Sequence, residues 1–167
     1  MFPTMRFSVS ATTRTKRPVE HDGVDYHFFT VEQFESMKAV NGFVEWEQVF
    51  GNFYGTLKSE IDSALLDGTP MLFDVDVKGA LSLRRCYPND SVLIFIQPPD
   101  KETLRQRLRR RRTDSEETID QRLARVDWEL DQAGNFHHVV VNDDLGRSVP
   151  DVATIIRDVT GLVPVSP

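Results

Sequence analysis

Cysteine is nearly absent: Cys86 is the single one in 167 residues, which excludes a disulfide framework and any cysteine-rich zinc site. No run approaches 18 consecutive apolar residues, so the sequence holds no membrane-spanning helix. The opening Met-Phe-Pro-Thr-Met-Arg-Phe-Ser has no charged region followed by an apolar stretch and is no signal peptide. A basic surplus is missing too. Twenty Lys+Arg face 26 Asp+Glu, a formal charge of −6, which argues against a general nucleic-acid binder. His21, His27, His137 and His138 show no metal-ligand spacing on a common helix and read as surface or core residues. No serine lies in a Gly-x-Ser-x-Gly elbow, which leaves nucleophilic catalysis little support. A cytoplasmic protein is the default expectation.

What is present fits one compact α/β domain. Hydrophobic residues make up 40% and charged residues 28%, enough for a core and too apolar for wholesale disorder. Residues 6–10, 71–76, 92–97 and 138–142 predict strands. The last three are nearly continuous in apolar or β-branched residues, the pattern of strands buried on both faces of a parallel sheet. Helices are predicted over 57–67, with Ile61, Leu65 and Leu66 on one face and Gly68 as the stop, and over 101–112, capped by Asp100 with Leu104 and Leu108 inward. A third, over 115–132, carries Ile119, Leu123, Val126 and Leu130 as one stripe, and a fourth, over 149–159, begins near Pro150. Strands alternating with helices predict a layered α/β fold with a parallel sheet. Residues 11–53 break that rhythm. They are polar, turn-rich at Asp22-Gly23, Asn41-Gly42 and Gly51-Asn52, and dotted with aromatics, which predicts a small lobe with short antiparallel strands and its own core.

In open parallel sheets, ligands bind beyond the carboxyl ends of the strands. Ser10, the pair Asp74 and Asp76, and Asn142-Asp143-Asp144 stand at the predicted ends. Asp74 and Asp76, two apart on a strand, would share a face. They either cap loops or offer two carboxylates to a ligand's donors, a basic side chain or a magnesium ion. Ser10-Ala-Thr-Thr-Arg14-Thr-Lys-Arg17 places two guanidinium groups three residues apart, with Tyr26 and Tyr54 as neutral donors elsewhere. It is either a solvated basic turn or a phosphate site, since a guanidinium donates two parallel charge-assisted hydrogen bonds to phosphate. Six arginines crowd residues 105–112. A solvent-facing helix paired with nearby acids, a phosphate contact and a nucleic-acid contact are the three readings; the acidic total and the lack of a stacking platform speak against the last.

Six segments in order resemble guanylate kinase: Phe7-Ser-Val-Ser-Ala-Thr-Thr-Arg14-x-x-Arg17, Asp22-Gly-x-Asp-Tyr26-x-Phe28, Phe43-x-Glu45-Trp46, Gly51-Asn-x-Tyr54-Gly-Thr56, Asp74-x-Asp76-x-x-Gly79 and Val141-Asn142-Asp143-Asp144. The likeness runs from about Phe2 to Val159. It implies a single domain with a P-loop-kinase-like parallel core (1–10, 57–102 and 126–167), a mixed α+β GMP-binding lobe (11–56) and a helical lid (103–125). The implied reaction is ATP + GMP (or dGMP) to ADP + GDP (or dGDP), with Mg2+ accompanying ATP and no protein metal ligand assigned.

The resemblance also implies residue roles. Glu45 and Asp74 would accept from guanine N1–H and the 2-amino group, and Ser10 and Thr56 would donate to O6. Arg14, Arg17, Tyr26 and Tyr54 would hold the GMP phosphate, with Glu20 orienting the arginines and Gly55 lying in the same site. Arg107, Arg111 and Arg122 are similar to lid and hinge arginines that close on the transferring phosphoryl group. Asp76 and Asn142 would face ATP, Asn142 on its adenine side. Arg105, Arg109, Arg110 and Arg112 receive no role, and Lys78 stands where the family commonly has Gln. No nucleic acid or membrane is implied as a partner, and monomer and homodimer both remain open.

The family's first strand, its Gly-x-x-x-x-Gly-Lys-[Ser/Thr] loop and the following helix do not occur in these residues, and Phe2-Pro3-Thr4-Met5-Arg6 is similar to the sequence just after that helix. The expectation is therefore an N-terminally truncated or late-started chain that keeps the GMP half-site and, alone, phosphorylates little or nothing. The alternative is a non-catalytic guanylate-kinase-like module that binds GMP or a phosphopeptide. Retention of Ser10, Glu45, Thr56 and Asp74 favours the nucleotide.

Overall fold

The computed structural model describes residues 2–49, 51–111 and 116–163, the side chains of Arg111 and Gln121 excepted. It is a mixed α/β structure whose elements run β1 (Arg6–Phe7), β2 (Ala11–Thr12), β3 (His27–Phe28), α1 (Val31–Ala39), β4 (Phe43–Val49), β5 (Asn52–Leu57), α2 (Lys58–Leu66), β6 (Met71–Leu72) and α3 (Val77–Cys86). Then come β7 (Ile94–Gln97), α4 (Lys101–Arg111), α5 (Glu116–Asp131), a short 3-10 turn at Ala133–Asn135, β8 (His138–Val141) and α6 (Leu145–Thr160). The chain divides into two compact units between Asn89 and Asp90. No helix among the described residues is long and apolar enough to cross a membrane.

In the first unit, β1 and β6 pair in parallel, and β3-β2-β5-β4 form a four-stranded sheet. In that sheet β2 runs parallel to β3 and antiparallel to β5, which is antiparallel to β4. The strand predicted over 6–10 is cut short for a definite reason. After Ser8 donates to Leu72 O, the chain leaves β6, and Ser10 O accepts from His27 N at 2.9 Å, so the backbone crosses into the lobe sheet.

The lobe has the core its aromatics predict. Phe34 on α1 is fully buried and stacks on Phe43 and Phe53, with ring centroids 4.3 and 5.2 Å away, beside Ala11 and Leu57. A capping box fixes the start of α1: Gln33 N–H donates to Thr30 Oγ1, and Thr30 N–H donates to Gln33 Oε1 at 2.7 Å. On its other flank Lys38 Nζ sits 3.9 Å from the Trp46 ring centroid and 4.9 Å from that of Phe53, a cation–π stack.

Helix α2 ends at Gly68 as expected: Gly68, at φ 61°, is followed by Thr69 N–H donating to Ala64 O. Its buried face differs from the prediction. Ile61 and Ala64, three apart, are inside, whereas Leu65 and Leu66 are exposed.

In the second unit β7 and β8 pair in parallel over Ile94↔His138 to Gln97↔Val141. Phe95 and Val140 are buried, but Ile96, Val139 and Val141 are exposed, as are Phe7 and Leu72 in the first unit. Phe95 and Val140 lie on opposite faces of their pair, so each face is only partly covered, short of the burial on both faces predicted for 71–76, 92–97 and 138–142. Asp100 caps α4 through Thr103 N–H (2.6 Å), and Leu108, Ile119 and Val126 are buried along the α4 and α5 stripes. Across from them an ionic ladder joins the helices: Lys101 to Asp127, Arg105 to Asp120 (3.4 Å) and Arg109 to Glu116 (2.9 Å). Helix α6 begins five residues before Pro150, not at it, because Asp144 caps the helix through Gly146 N–H (2.5 Å). Residues 112–115, the predicted junction of the two lid helices, lie outside the described residues.

Phe34→Ala removes the ring on which the lobe packs and is expected to cost about 3–5 kcal/mol, with Phe34→Leu costing less. Urea denaturation midpoints check the order.

Candidate functional site

The predicted residues of the first unit fall into two clusters joined by β5. Tyr54 and Thr56 are two apart on this strand and share a face. Gly55 between them is demanded by packing. A Cβ there would stand 3.0 Å from Glu45 O and from Phe43 Cδ1, and 3.1 Å from Trp46 Cβ. A side chain there would push β4 back by a few tenths of an ångström.

The first cluster surrounds Glu45. The β4–β5 register slips between Phe43 and Glu45, and Glu45 then stands opposite Thr56. A bulge re-aims the side chains beyond it. Thr56, 1% exposed, donates its hydroxyl proton to Glu45 Oε1 at 2.6 Å. Burial pushes the Glu45 carboxyl above the usual glutamate range; the Thr56 hydrogen bond opposes this and the negative charge of Asp76 adds to it. Gly79 on α3 closes the other side, since a Cβ there would lie 3.6 Å from Glu45 Cδ.

Asp74 and Asp76 depart from the strand predicted for them. Strand β6 ends at Leu72, so the two are not presented on one strand face. Asp76 is the N-cap of α3, its Oδ1 accepting from Gly79 N–H at 2.9 Å, while Asp74 is exposed in the connection before it. Ser10 is half-buried, where the chain passes from β1 to β2.

The second cluster is built on Arg14. Its guanidinium grips Glu20 with both terminal nitrogens, at 2.7 and 3.1 Å, and donates to Thr15 O at 2.9 Å. Glu20 also accepts from Arg17 N–H at 2.7 Å, so one carboxylate organises both arginine positions. Arg17 itself is exposed. The guanidinium carbon of Arg14 lies 5.4 Å from the Tyr26 ring centroid, and Tyr26 meets Tyr54 edge-on at 6.2 Å. The hydrogen bond to Arg14 holds the Glu20 carboxyl below its usual range, and the same bond stabilises the charged guanidinium, with a smaller contribution from Tyr54. The result is a cationic group oriented by a carboxylate and rimmed by two phenols.

The sequence reading missed Thr12 and Thr13, which carry the backbone of this cluster. Their signal, a Thr-Thr pair before the arginine, is visible in the sequence, but its hydrogen-bond partner Phe53 is 40 residues away.

In the second unit, Arg107 Nη1 donates to Asn142 O at 2.6 Å and Nη2 to Asp143 O at 3.0 Å. The side chain predicted to close on a phosphoryl group is therefore anchored at the end of β8. Asn142 Oδ1 accepts from the buried Ser148 hydroxyl at 3.3 Å. Arg122 is exposed on α5, and Arg111 is the last residue of α4, its side chain outside the described residues. Arg105 and Arg109 are absorbed by the ionic ladder. Among the described residues no group of three or more His, Cys, Asp or Glu is placed to hold a metal ion.

A lowered carboxyl pKa contributes stability above the ordinary glutamate value, about 4.3, and that contribution fades as pH falls through the lowered value. Glu20→Gln is therefore expected to be destabilising at pH 7 and to lose that deficit on acidification, as urea midpoints measured across pH will report.

Comparison with known proteins gives one answer. The family model described as "Guanylate kinase" matches residues 2–159. A guanylate kinase of Chlorobaculum tepidum is 52% identical over 154 residues, 92% of this chain and 79% of that protein. One of Salinibacter ruber is 46% identical, over 93% of this chain and 82% of its own length. The crystal structure of guanylate kinase from Anaplasma phagocytophilum superposes with a TM-score of 0.73 at 29% identity, covering 94% of this chain and 77% of that one.

Proposed function

Because this chain belongs to the guanylate kinase family, we propose that it serves the transfer of the γ-phosphoryl group of ATP to GMP or dGMP, yielding ADP and GDP or dGDP. The observation that carries the substrate choice is the half-buried Glu45 carboxylate held by the buried Thr56 at 2.6 Å. Guanine offers N1–H and a 2-amino group to such an acceptor, and adenine has neither donor. AMP would set no donor against this half-buried carboxylate, a mismatch that discriminates by roughly 10⁴–10⁵ in sites of this kind.

In this reading Glu45 and Asp74 accept from the guanine edge, and Ser10 and Thr56 donate to O6. A hydroxyl has one proton. Thr56 therefore serves O6 by releasing Glu45, whose lone pairs pass to the guanine donors. Arg14, Arg17, Tyr26 and Tyr54 hold the phosphate, and Gly55 keeps β5 close enough for Tyr54 and Thr56 to act on one ligand.

A phosphate oxygen of GMP attacks Pγ, and the bond from Pγ to the ADP oxygen breaks. The nucleophile is already ionised, so no side-chain base is needed. Positioning and charge stabilisation do the catalytic work. Arg107, Arg111 and Arg122 are proposed to supply that charge, and Arg107 has N–H groups beyond the two that anchor it. Asp76 and Asn142 are proposed for the ATP side. Magnesium bound with ATP would neutralise phosphate charge; the described carboxylates form no cluster for it.

Calorimetry with GMP and AMP tests the substrate reading: GMP is expected to bind and AMP to bind at least about 100-fold more weakly, and equal binding would overturn it. In an ADP-coupled assay with GMP, ATP and magnesium, these 167 residues alone are expected to turn over little, since they contain no Gly-x-x-x-x-Gly-Lys-[Ser/Thr] loop.

The raised pKa of Glu45 has its own signature. Guanine donors favour the carboxylate, so GMP binding should release a proton where free Glu45 is partly protonated, and affinity should rise with pH through that range. Titrations in two buffers of different ionisation enthalpy measure the release, which Glu45→Gln should abolish.

A further inference from the structure

The nucleotide contacts proposed above give Thr12 no role, yet it is among the largest completely buried side chains, at 0% exposure. A buried hydroxyl in a protein interior is hydrogen-bonded, and this one is bonded in two directions. It donates to Phe53 O at 2.9 Å and accepts from Arg14 N–H at 3.1 Å. Phe53 immediately precedes Tyr54, and Thr12 stands directly opposite Tyr54 in the β2–β5 pairing. Thr13 completes the clasp: its N–H donates to Phe53 O at 3.0 Å, and its hydroxyl accepts from Phe53 N–H at 2.8 Å.

We propose that Thr12 is a positioning residue for the phosphate end of the GMP site. Its hydroxyl ties the peptide that presents Tyr54 to the peptide that presents Arg14, so that phenol and guanidinium meet one phosphate. The proposal rests on the reading that Arg14 and Tyr54 hold that phosphate. A residue that only filled the core would affect every ligand alike. Thr12, acting through Arg14 and Tyr54, affects only what the phosphate contributes.

Valine has nearly the shape of threonine without its hydroxyl, and Thr12→Val leaves the part-buried Arg14 N–H without its acceptor. The full chain and its variants are titrated with GMP and with guanosine, which shares the base and sugar but has no phosphate. Thr12→Val is expected to weaken GMP binding roughly 10-fold and leave guanosine binding unchanged, while Thr12→Ser restores most of the loss. Should the valine variant fail to fold, Thr12→Ser and Thr12→Ala, which differ by the hydroxyl alone, make the same comparison. Equal weakening of both ligands, or of neither, overturns the proposal. Arg14→Ala separates the two layers of the argument. If it leaves the preference for GMP over guanosine intact, the phosphate reading itself fails and this inference falls with it. If it removes that preference and Thr12→Val does not diminish it, only the role of Thr12 is refuted.

Discussion

The close approach of β4 and β2 to the two sides of β5 is the constraint from which the lobe's chemistry follows. Strand β5 must present Tyr54 and Thr56 on one side while packing Gly55 against Phe43 and Trp46 more tightly than a Cβ ordinarily allows. The hydrogen-bond ladders alone would tolerate several registers, because a two-residue slip keeps the same faces inward. The stack of Phe34 on Phe43 and Phe53, the missing Cβ of Gly55 and the threonine clasp on Phe53 together select one. The base and phosphate contacts proposed above are then neighbouring uses of a single strand, with a carboxylate opposite Thr56 and a guanidinium approached through Thr12.

Much of this organisation could be read from residue order, and the failures have physical causes. The Ile119, Leu123, Val126 stripe, the Asp100 cap and the Gly68 stop are local patterns, and they survive folding because nothing distant competes with them. Asp74 and Asp76 are different. Alternating with apolar neighbours, they read as strand residues, yet an aspartate before Val77 and three residues ahead of Gly79 is equally a helix cap, and the cap prevails. Helix α2 buries Ala64 and leaves Leu65 exposed although both lie within about 60° of Ile61 around the helix, so the apolar pattern alone does not say which of the two faces inward. The partners of Thr12 and Glu45 lie 41 and 11 residues along the chain, so no local window connects them. The family resemblance supplied the list of site residues, while the geometry supplies what each one is bonded to.

The arginine-rich helix shows how folding sorts what composition leaves ambiguous. Successive residues of an α-helix turn by about 100°. Lys101, Arg105 and Arg109, four apart, therefore form a row that meets the acids of α5. Arg107 lies about 200° around the helix from Arg105 and finds main-chain carbonyls instead. One dense run of charge is thus divided between tying two helices together and gripping the end of a strand, with no change of residue type.

The ammonium of Lys38 over the indole of Trp46 has a consequence of a different kind. The chain contains two tryptophans, Trp46 in the first unit and Trp128 on α5 in the second, so each unit carries one fluorophore. A positive charge 3.9 Å from an indole centroid perturbs the excited-state dipole, giving Trp46 an emission that depends on where α1 holds its lysine. Light emitted from Trp46 therefore encodes the seating of α1 on β4 and β5, and replacing Trp128 by phenylalanine would leave that signal alone in the spectrum.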